Sequence, residues 1–384
     1  MTTADLVERW RRHEGPLGDP GTPPPVWQRA EGSHVWDADG RRYLDLSSGF
    51  GVAAVGHANP RVVEAVRAQA GKLLHGLGDL HPTAVRIRLA ERLASVAPFG
   101  LTRALWSLTG AGAVELALKT ALLATGRSEV IAFRGGYHGT SLGALGVCGW
   151  PPFRRPFEAW LPALDLVEWG GVPAFGESVA CVVVEPMQGR GGIVPPPDGW
   201  LQTLRYECDR WDVLLVVDEV FTGLGRTGSM WMSEAEGVRP DLLVCGKALG
   251  GGLPLAAVLG TPELMDRAWA GHGEVAIDTH THLGSPLSCA AALAVLDVLE
   301  DERLPERAAR LGERVRDALP GVRGRGLGLG LPCDAVRACE RLLELGVIAV
   351  PAGREAEVLE LSPPLTISEE DLDRGITAVR EAVP

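Results

Sequence analysis

The sequence predicts an α/β protein with a large domain, built on a mostly parallel central sheet flanked by helices, and a smaller α/β lobe. Three observations predict this. Short, fully apolar runs recur along the chain, as expected of strands buried on both faces. Helical stretches alternate with them from about Leu105 onward. The length of 384 residues exceeds one small domain and suits a large core with a second lobe.

The elements follow in order. Residues 1–32 are rich in Pro, Gly and charge and read as an arm, not a core element. Leu105 to Leu108 is a short strand, and Gly110 and Gly112 open a helix from Ala113 to Ala124. Val130 to Phe133 is a strand ending in Gly135-Gly136. Val179 to Val184 and Leu214 to Val217 are strands running into Glu185 and Asp218. Leu242 to Cys245 runs into Gly246-Lys247. Residues 286–299 and 305–319 read as helices. The expected division is an arm (1–45) joining the small lobe, a large domain (46–283) and a C-terminal small domain (284–384). Ligands of such sheets bind beyond the carboxyl ends of the strands, where Glu185, Asp218 and Lys247 fall.

Composition narrows the function. Hydrophobic residues at 46% and charged residues at 22% fit a soluble globular protein. A net charge of −12 repels a phosphate backbone, so nucleic acid is not an expected partner. The N-terminus has no apolar core of a signal peptide, and no run approaches the ~18 apolar residues of a membrane span. Seven scattered cysteines with no Cys-x-x-Cys pair read as reduced thiols in a cytoplasm.

Several motifs fail on inspection. Leu214 to Glu219 resembles a magnesium-holding strand of an ATPase, but Gly246-Lys247 is followed by Ala248 and has Asp241 where a phosphate loop needs Gly. Thr109-Gly110-Ala111-Gly112 lacks the third glycine of a dinucleotide fingerprint. His280-Thr281-His282 has only Asp278 nearby at ligand spacing, so no metal is expected.

One constellation survives. Lys247 at a dry strand end tends to lose its proton and become a nucleophile for a carbonyl. A buried Asp218 on a neighbouring strand stays ionised beside a cation such as a pyridinium. Gly110 and Ala111 precede a helix and have free N–H groups for a phosphate. Tyr137-His138 can lay a ring over a cofactor. Each residue alone is more often structural; an Asp after a strand is commonly a helix cap. The set in this order is hard to explain otherwise.

With these stretches, the sequence resembles the class III aminotransferases of fold type I, which use pyridoxal 5′-phosphate. The likeness runs from about Asp37 to Ile367. It rests on residues 39–45, Gly56-His57-Ala58-Asn59-Pro60, Thr109 to Lys119, Tyr137-His138-Gly139 and Glu185-Pro186-Met187-Gln188-Gly189. It rests above all on Asp218 to Gly228 and Gly246 to Gly252, with Gly284-Ser285-Pro286 beyond them. The resemblance implies that Lys247 holds the cofactor as a Schiff base and shuttles a proton, and that Asp218 keeps the ring nitrogen protonated. It implies Val220 and Tyr137 on the two ring faces, and Gly110 and Ala111 on the phosphate. His138 and Glu185 lie near the same pocket. Thr281 matches a threonine that reaches the phosphate of a neighbouring subunit, which implies a homodimer with a shared active site.

The departures bear on substrate. The family's Ser-Gly-Ser/Thr-Glu-Ala loop is here Thr109-Gly110-Ala111-Gly112-Ala113, which spares backbone binding. Phe221 stands where Gln often bonds the cofactor's phenol oxygen. Phe50 matches a pocket position where some members carry Tyr. The stretch between Gly326 and Gly346 is short, a trimmed small lobe that hints at an unusual acceptor in specialised biosynthesis. Arg190 and Glu360 stand where amino-acid-using members carry Glu and a carboxylate-gripping Arg, so the signs are exchanged. Either both face solvent by accident, or the two face each other in the pocket, with Arg190 as a carboxylate or phosphate clamp and Glu360 as its partner or as the receiver of a cationic substrate amine. The implied reaction moves an amino group from an amine or amino acid donor to a carbonyl acceptor. Racemases or epimerases, decarboxylases, aminomutases and carbon–carbon bond-forming enzymes share this fold and cofactor, so those alternatives stay open. A non-catalytic dimeric relative is a further alternative, against which intact Lys247 and Asp218 argue.

Overall fold

The computed structural model describes residues 1–16, 24–162, 164, 166–271 and 276–383. The chain opens with helix Thr3–His13, held by a capping box between Thr2 and Asp5. Strands β1 (Trp27–Glu31), β2 (His34–Asp37) and β3 (Arg42–Asp45) form an antiparallel meander. The arm expected over residues 1–32 is therefore more structured than its composition indicated. Its helix buries only Val7, so it adds little to the core.

A seven-stranded sheet holds the centre. Its strands are β4 (Arg103–Ser107), β5 (Glu129–Phe133), β6 (Leu166–Val167), β7 (Val179–Val184), β8 (Leu214–Asp218), β9 (Leu242–Cys245) and β10 (Ala256–Gly260). The spatial order is β4-β10-β9-β8-β7-β5-β6. Adjacent strands from β9 to β6 pair in parallel, and β10 is antiparallel to both its neighbours. Every residue of β7, β8, β9 and β10 is buried, which is why these runs are unbroken apolar sequence. Each fully buried Val or Leu there contributes roughly 1.5–3 kcal/mol of transfer free energy.

The reversal at β10 has a local cause. Lys247–Gly250 forms a single tight turn after β9, and Gly251 and Gly252 take positive φ of 57° and 108°. The chain turns back within ten residues, too few for a parallel crossover, so β10 pairs antiparallel. Helix Gly110–Thr125 covers the sheet and packs on β10, while Pro286–Asp301 is buried along its length against Pro60–Ala70 and Ala84–Val96.

The C-terminal part adds β11 (Arg323–Arg325), β12 (Gly328–Pro332), β13 (Val347–Ile348), β14 (Val350–Ala352) and β15 (Val358–Leu361). β11, β12, β15 and β14 form one antiparallel sheet in that order. β13 instead pairs in parallel with β3, joining the chain's two ends. Between β12 and β13 lies only the helix Ala335–Glu344.

Candidate active site

Four strand ends converge at the carboxyl edge of the central sheet. Asp218 is the last residue of β8 and is buried. Its Oδ2 accepts from His138 Nδ1–H at 2.8 Å, and its Oδ1 accepts from the Val220 N–H at 3.0 Å. Burial works to lower the His138 pKa, but the hydrogen bond and charge of Asp218, with Glu185, outweigh it and raise the pKa above its ordinary value.

Glu185 follows β7. Its Oε1 accepts from the Tyr137 N–H at 2.8 Å and its Oε2 from the Gly189 N–H at 2.9 Å. Burial pushes its pKa up to about 7, against the opposing pull of His138 and these two amides. Glu185 thus ties the turn after β5 to the turn after β7. The Tyr137 ring meets Phe153 at 5.9 Å, centroid to centroid.

Lys247 begins the tight turn after β9 in a left-handed conformation, φ 40°. That strain is held by β9 on one side and by the glycines that follow. Its Nζ lies 5.0 Å from the Phe221 ring centroid. Burial pushes the amine's pKa down; Glu360, then Asp218 and Glu185, oppose the shift, and Arg226 adds to it. A lysine so placed offers a free amine to a carbonyl.

Val220 fills the space between two glycines. A Cβ on Gly110 would lie 3.0 Å from the Val220 side chain, and one on Gly246 3.5 Å from it. A Cβ on Gly139, where φ is +112°, would come within 2.4 Å of the Ala111 Cβ. The turn carrying Tyr137 and His138 therefore closes directly on the start of the long helix. There Thr109 Oγ1 accepts from the Gly112 N–H at 3.0 Å, and no group among the described residues accepts from the N–H of Gly110 or Ala111. Two open amides at a sixteen-residue helix start form an anion cradle.

Other sequence-predicted residues lie elsewhere. Thr281 is exposed and makes no hydrogen bond to this group; its neighbour His282 meets the His75 ring at 5.0 Å. Phe50 is 60% exposed, in the Ser48–Gly51 turn, and a Cβ on Gly51 would lie 3.6 Å from Lys247 Cδ. The expected Arg190–Glu360 pair is not formed. Arg190 is half-buried, forms no ion pair among the described residues, accepts from the Gly353 N–H through its carbonyl, and lies in the field of Tyr137. Glu360 sits on β15, buried, where its Oε1 accepts from Ser362 Oγ at 2.7 Å. The cations that feel it are Arg226 and Lys247. β15 faces this group because Ser362 beyond it is bonded to Leu46 and Ser48.

Sequence reasoning assigned no role to Arg226 or to the Asp45–His57 pair. Arg226 is buried and donates through Nη1 to Leu327 O at 3.0 Å and Pro363 O at 2.6 Å. Burial lowers its pKa to about 10, against Glu360 and Asp45. Asp45 accepts from His57 Nε2–H at 2.7 Å and from the N–H groups of Ser47 and Gly49, which builds the turn beside Lys247. The available signals were an arginine inside the glycine-rich run 223–228 and the aspartate ending β3. A cavity of about 730 Å³ is a different feature: Glu129 and Val179, which line it, begin β5 and β7, at the other edge of the sheet.

The profile of the family described as aminotransferase class-III matches residues 19–383. The chain belongs to the class III aminotransferases. This aminotransferase is 38% identical to an acetylornithine aminotransferase of Methanopyrus kandleri over 92% of each chain. It is 35% identical to a 5-aminovalerate aminotransferase of Pseudomonas aeruginosa, over 99% of this chain and 98% of that one. Among solved structures, the ornithine aminotransferase of Toxoplasma gondii superposes with a TM-score of 0.92 at 31% identity, covering 100% of this chain and 95% of the other. It is a pyridoxal-phosphate-dependent enzyme that transfers an amino group from an amine donor to a carbonyl acceptor. The residues present fit the cofactor: a desolvated lysine amine for its aldehyde, a buried carboxylate, and two open amides for its phosphate.

Proposed function

We propose that Lys247 carries the cofactor and moves the proton of the transfer, and that Asp218 serves its ring nitrogen. The observation that supports this is the meeting of Asp218, His138, Glu185, Val220 and Lys247 at one sheet edge beside the open amides of Gly110 and Ala111. Pyridoxal phosphate, when bound, supplies an aldehyde that condenses with amines and a ring that takes up electron density. Asp218 holds a proton at the ring nitrogen, and His138 fixes the carboxylate through its Nδ1–H. Gly110 and Ala111 donate their N–H groups to the phosphate. Val220 and Tyr137 bear on the two ring faces. Glu185 orients the Tyr137 turn through its two backbone bonds. The Lys247 amine, kept free of its proton by burial, would take a proton from the substrate carbon and deliver it to the cofactor's aldehyde-derived carbon. Arg190, without an ion pair of its own, receives an acidic group of the acceptor.

The working unit is a homodimer in this reading. Leu73, Leu74, Leu77 and Leu80 are all exposed, Leu80 at 71%, on the segment that packs beside Thr281. Thr281, exposed here, then reaches the partner's phosphate cradle. Seven free cysteines fit a reducing compartment such as the cytoplasm, and among the described residues no helix is long and apolar enough to cross a membrane.

The test is a spectral screen. Mixing the holoenzyme with amines, without acceptor, should convert the cofactor's absorption to that of pyridoxamine phosphate in the wild type and not in Lys247→Ala. Conversion at the wild-type rate in Lys247→Ala would remove Lys247 from the reaction.

A further inference from the structure

Three carboxylates act on Lys247, and their hydrogen bonds differ in one respect. Asp218 is engaged at both oxygens, by His138 and Val220. Glu185 is engaged at both oxygens, by the Tyr137 and Gly189 amides. Glu360 is engaged at one: Ser362 Oγ donates to Oε1, and no donor among the described residues reaches Oε2. An ionised carboxylate accepts roughly four hydrogen bonds, so an oxygen with no protein donor is free to accept one from a ligand.

The nearby cation does not fill the gap. Arg226 spends Nη1 on the carbonyls of Leu327 and Pro363, and its Nη2 reaches Ser48 Oγ at 3.5 Å. It forms no ion pair among the described residues. Lys247 is the amine that the cofactor consumes. Glu360 is also fixed in place. It pairs across the sheet with Gly330 on β12 and Val350 on β14, and Ser362 locks the end of its strand to Leu46. A rigid acid with an open oxygen, on the strand that Ser362 ties to the Ser48–Gly51 turn against Lys247, can take a hydrogen-bonded cation.

We infer that Glu360 receives the second, non-reacting ammonium group of a diamine donor. One ammonium docks at Glu360 Oε2 while the other amine, deprotonated, reaches the reaction centre beside Lys247. The inference rests on the assignment of Lys247 above. A donor with a carboxylate in place of that ammonium meets like charge at Glu360 and is rejected. Arg190 does not reverse this, since it lies beside Tyr137 and forms no pair with Glu360.

The experiment compares donors of similar length: cadaverine, pentylamine and 5-aminovalerate. Half-saturation of the cofactor's absorbance change, without acceptor, separates binding from the limiting rate. Calorimetry on borohydride-reduced holoenzyme, which cannot turn over, measures binding alone. Cadaverine should half-saturate and bind about tenfold or more tighter than the other two, as a charge-assisted bond allows. Glu360→Gln should bring the cadaverine-to-pentylamine ratio toward one, and Glu360→Arg should turn the preference to 5-aminovalerate. A wild type that binds 5-aminovalerate as tightly as cadaverine overturns the inference, and so does a Glu360→Gln variant that keeps the diamine preference. Mapping the reduced cofactor separates the two readings. Cofactor on Lys247 with no diamine preference sinks the Glu360 inference alone; cofactor on another lysine sinks the Lys247 assignment.

Discussion

Asp218 and His138 share a buried hydrogen bond with charge on at least one partner, so removing the charge is informative. Asp218→Asn keeps shape but loses a charge-assisted bond worth about 1.5–3 kcal/mol, and a transfer rate lower by roughly ten- to a hundredfold is expected. Stopped-flow absorbance of the amine half-reaction measures it; a near-normal rate would place the ring nitrogen away from Asp218. Glu185 gives a pH prediction. Its folded pKa, about 7, lies above the ordinary 4.5, so the folded state holds more protons than the unfolded state between those values. Stability of the cofactor-free protein therefore falls as pH rises through that window, and Glu185→Gln should flatten the slope. Denaturant unfolding across the window checks this, and an unchanged slope would contradict the burial argument. Asp218, Glu185 and Lys247 were legible in the sequence because each ends an unbroken apolar run. Arg226 and Asp45 were not, because their importance lies in partners more than a hundred residues away, Pro363 and Leu327, or in a turn whose neighbour is Lys247.

At the scale of elements, the cofactor cradle depends on how closely strand ends and helix start approach. A methyl group on Gly110 would press on Val220 at 3.0–3.2 Å, so the Val220 side chain would have to shift. Gly110→Ala should weaken cofactor binding by about tenfold, and adding Val220→Ala should recover part of the loss. Equilibrium dialysis of the cofactor reads this directly; purely additive losses would mean that the two positions are independent. The inner strands of the central sheet were readable because burial on both faces makes them near-continuous apolar runs. β10 escaped, since Ala256 to Gly260 is a short apolar run whose period does not separate strand from helix. Its direction follows from the tight turn at Lys247–Gly250 and the positive φ of Gly251 and Gly252, a backbone conformation that an apolar pattern does not reveal. The strands beyond Val322 are three to five residues long where they pair in the C-terminal sheet, too short to carry a period.

For the whole molecule, two distant parts of the chain build one site. The central sheet supplies Asp218, Glu185 and Lys247, while β15, locked to the Ser47–Gly51 turn, supplies Glu360. In the dimer proposed above, the exposed leucines 73, 74, 77 and 80 meet a second copy. Leu74→Asp with Leu77→Asp should shift the protein to monomer in sedimentation velocity and lose most activity; a fully active monomer would remove Thr281 from the site. In the function proposed above, this architecture presents Lys247 to the cofactor's aldehyde. Borohydride reduction of the holoenzyme, digestion and mass spectrometry test it most directly. The phosphopyridoxyl group should appear on the peptide containing Lys247 and on no other lysine; the group on any other lysine, or an unlabelled chain with full activity, would remove Lys247 from the cofactor.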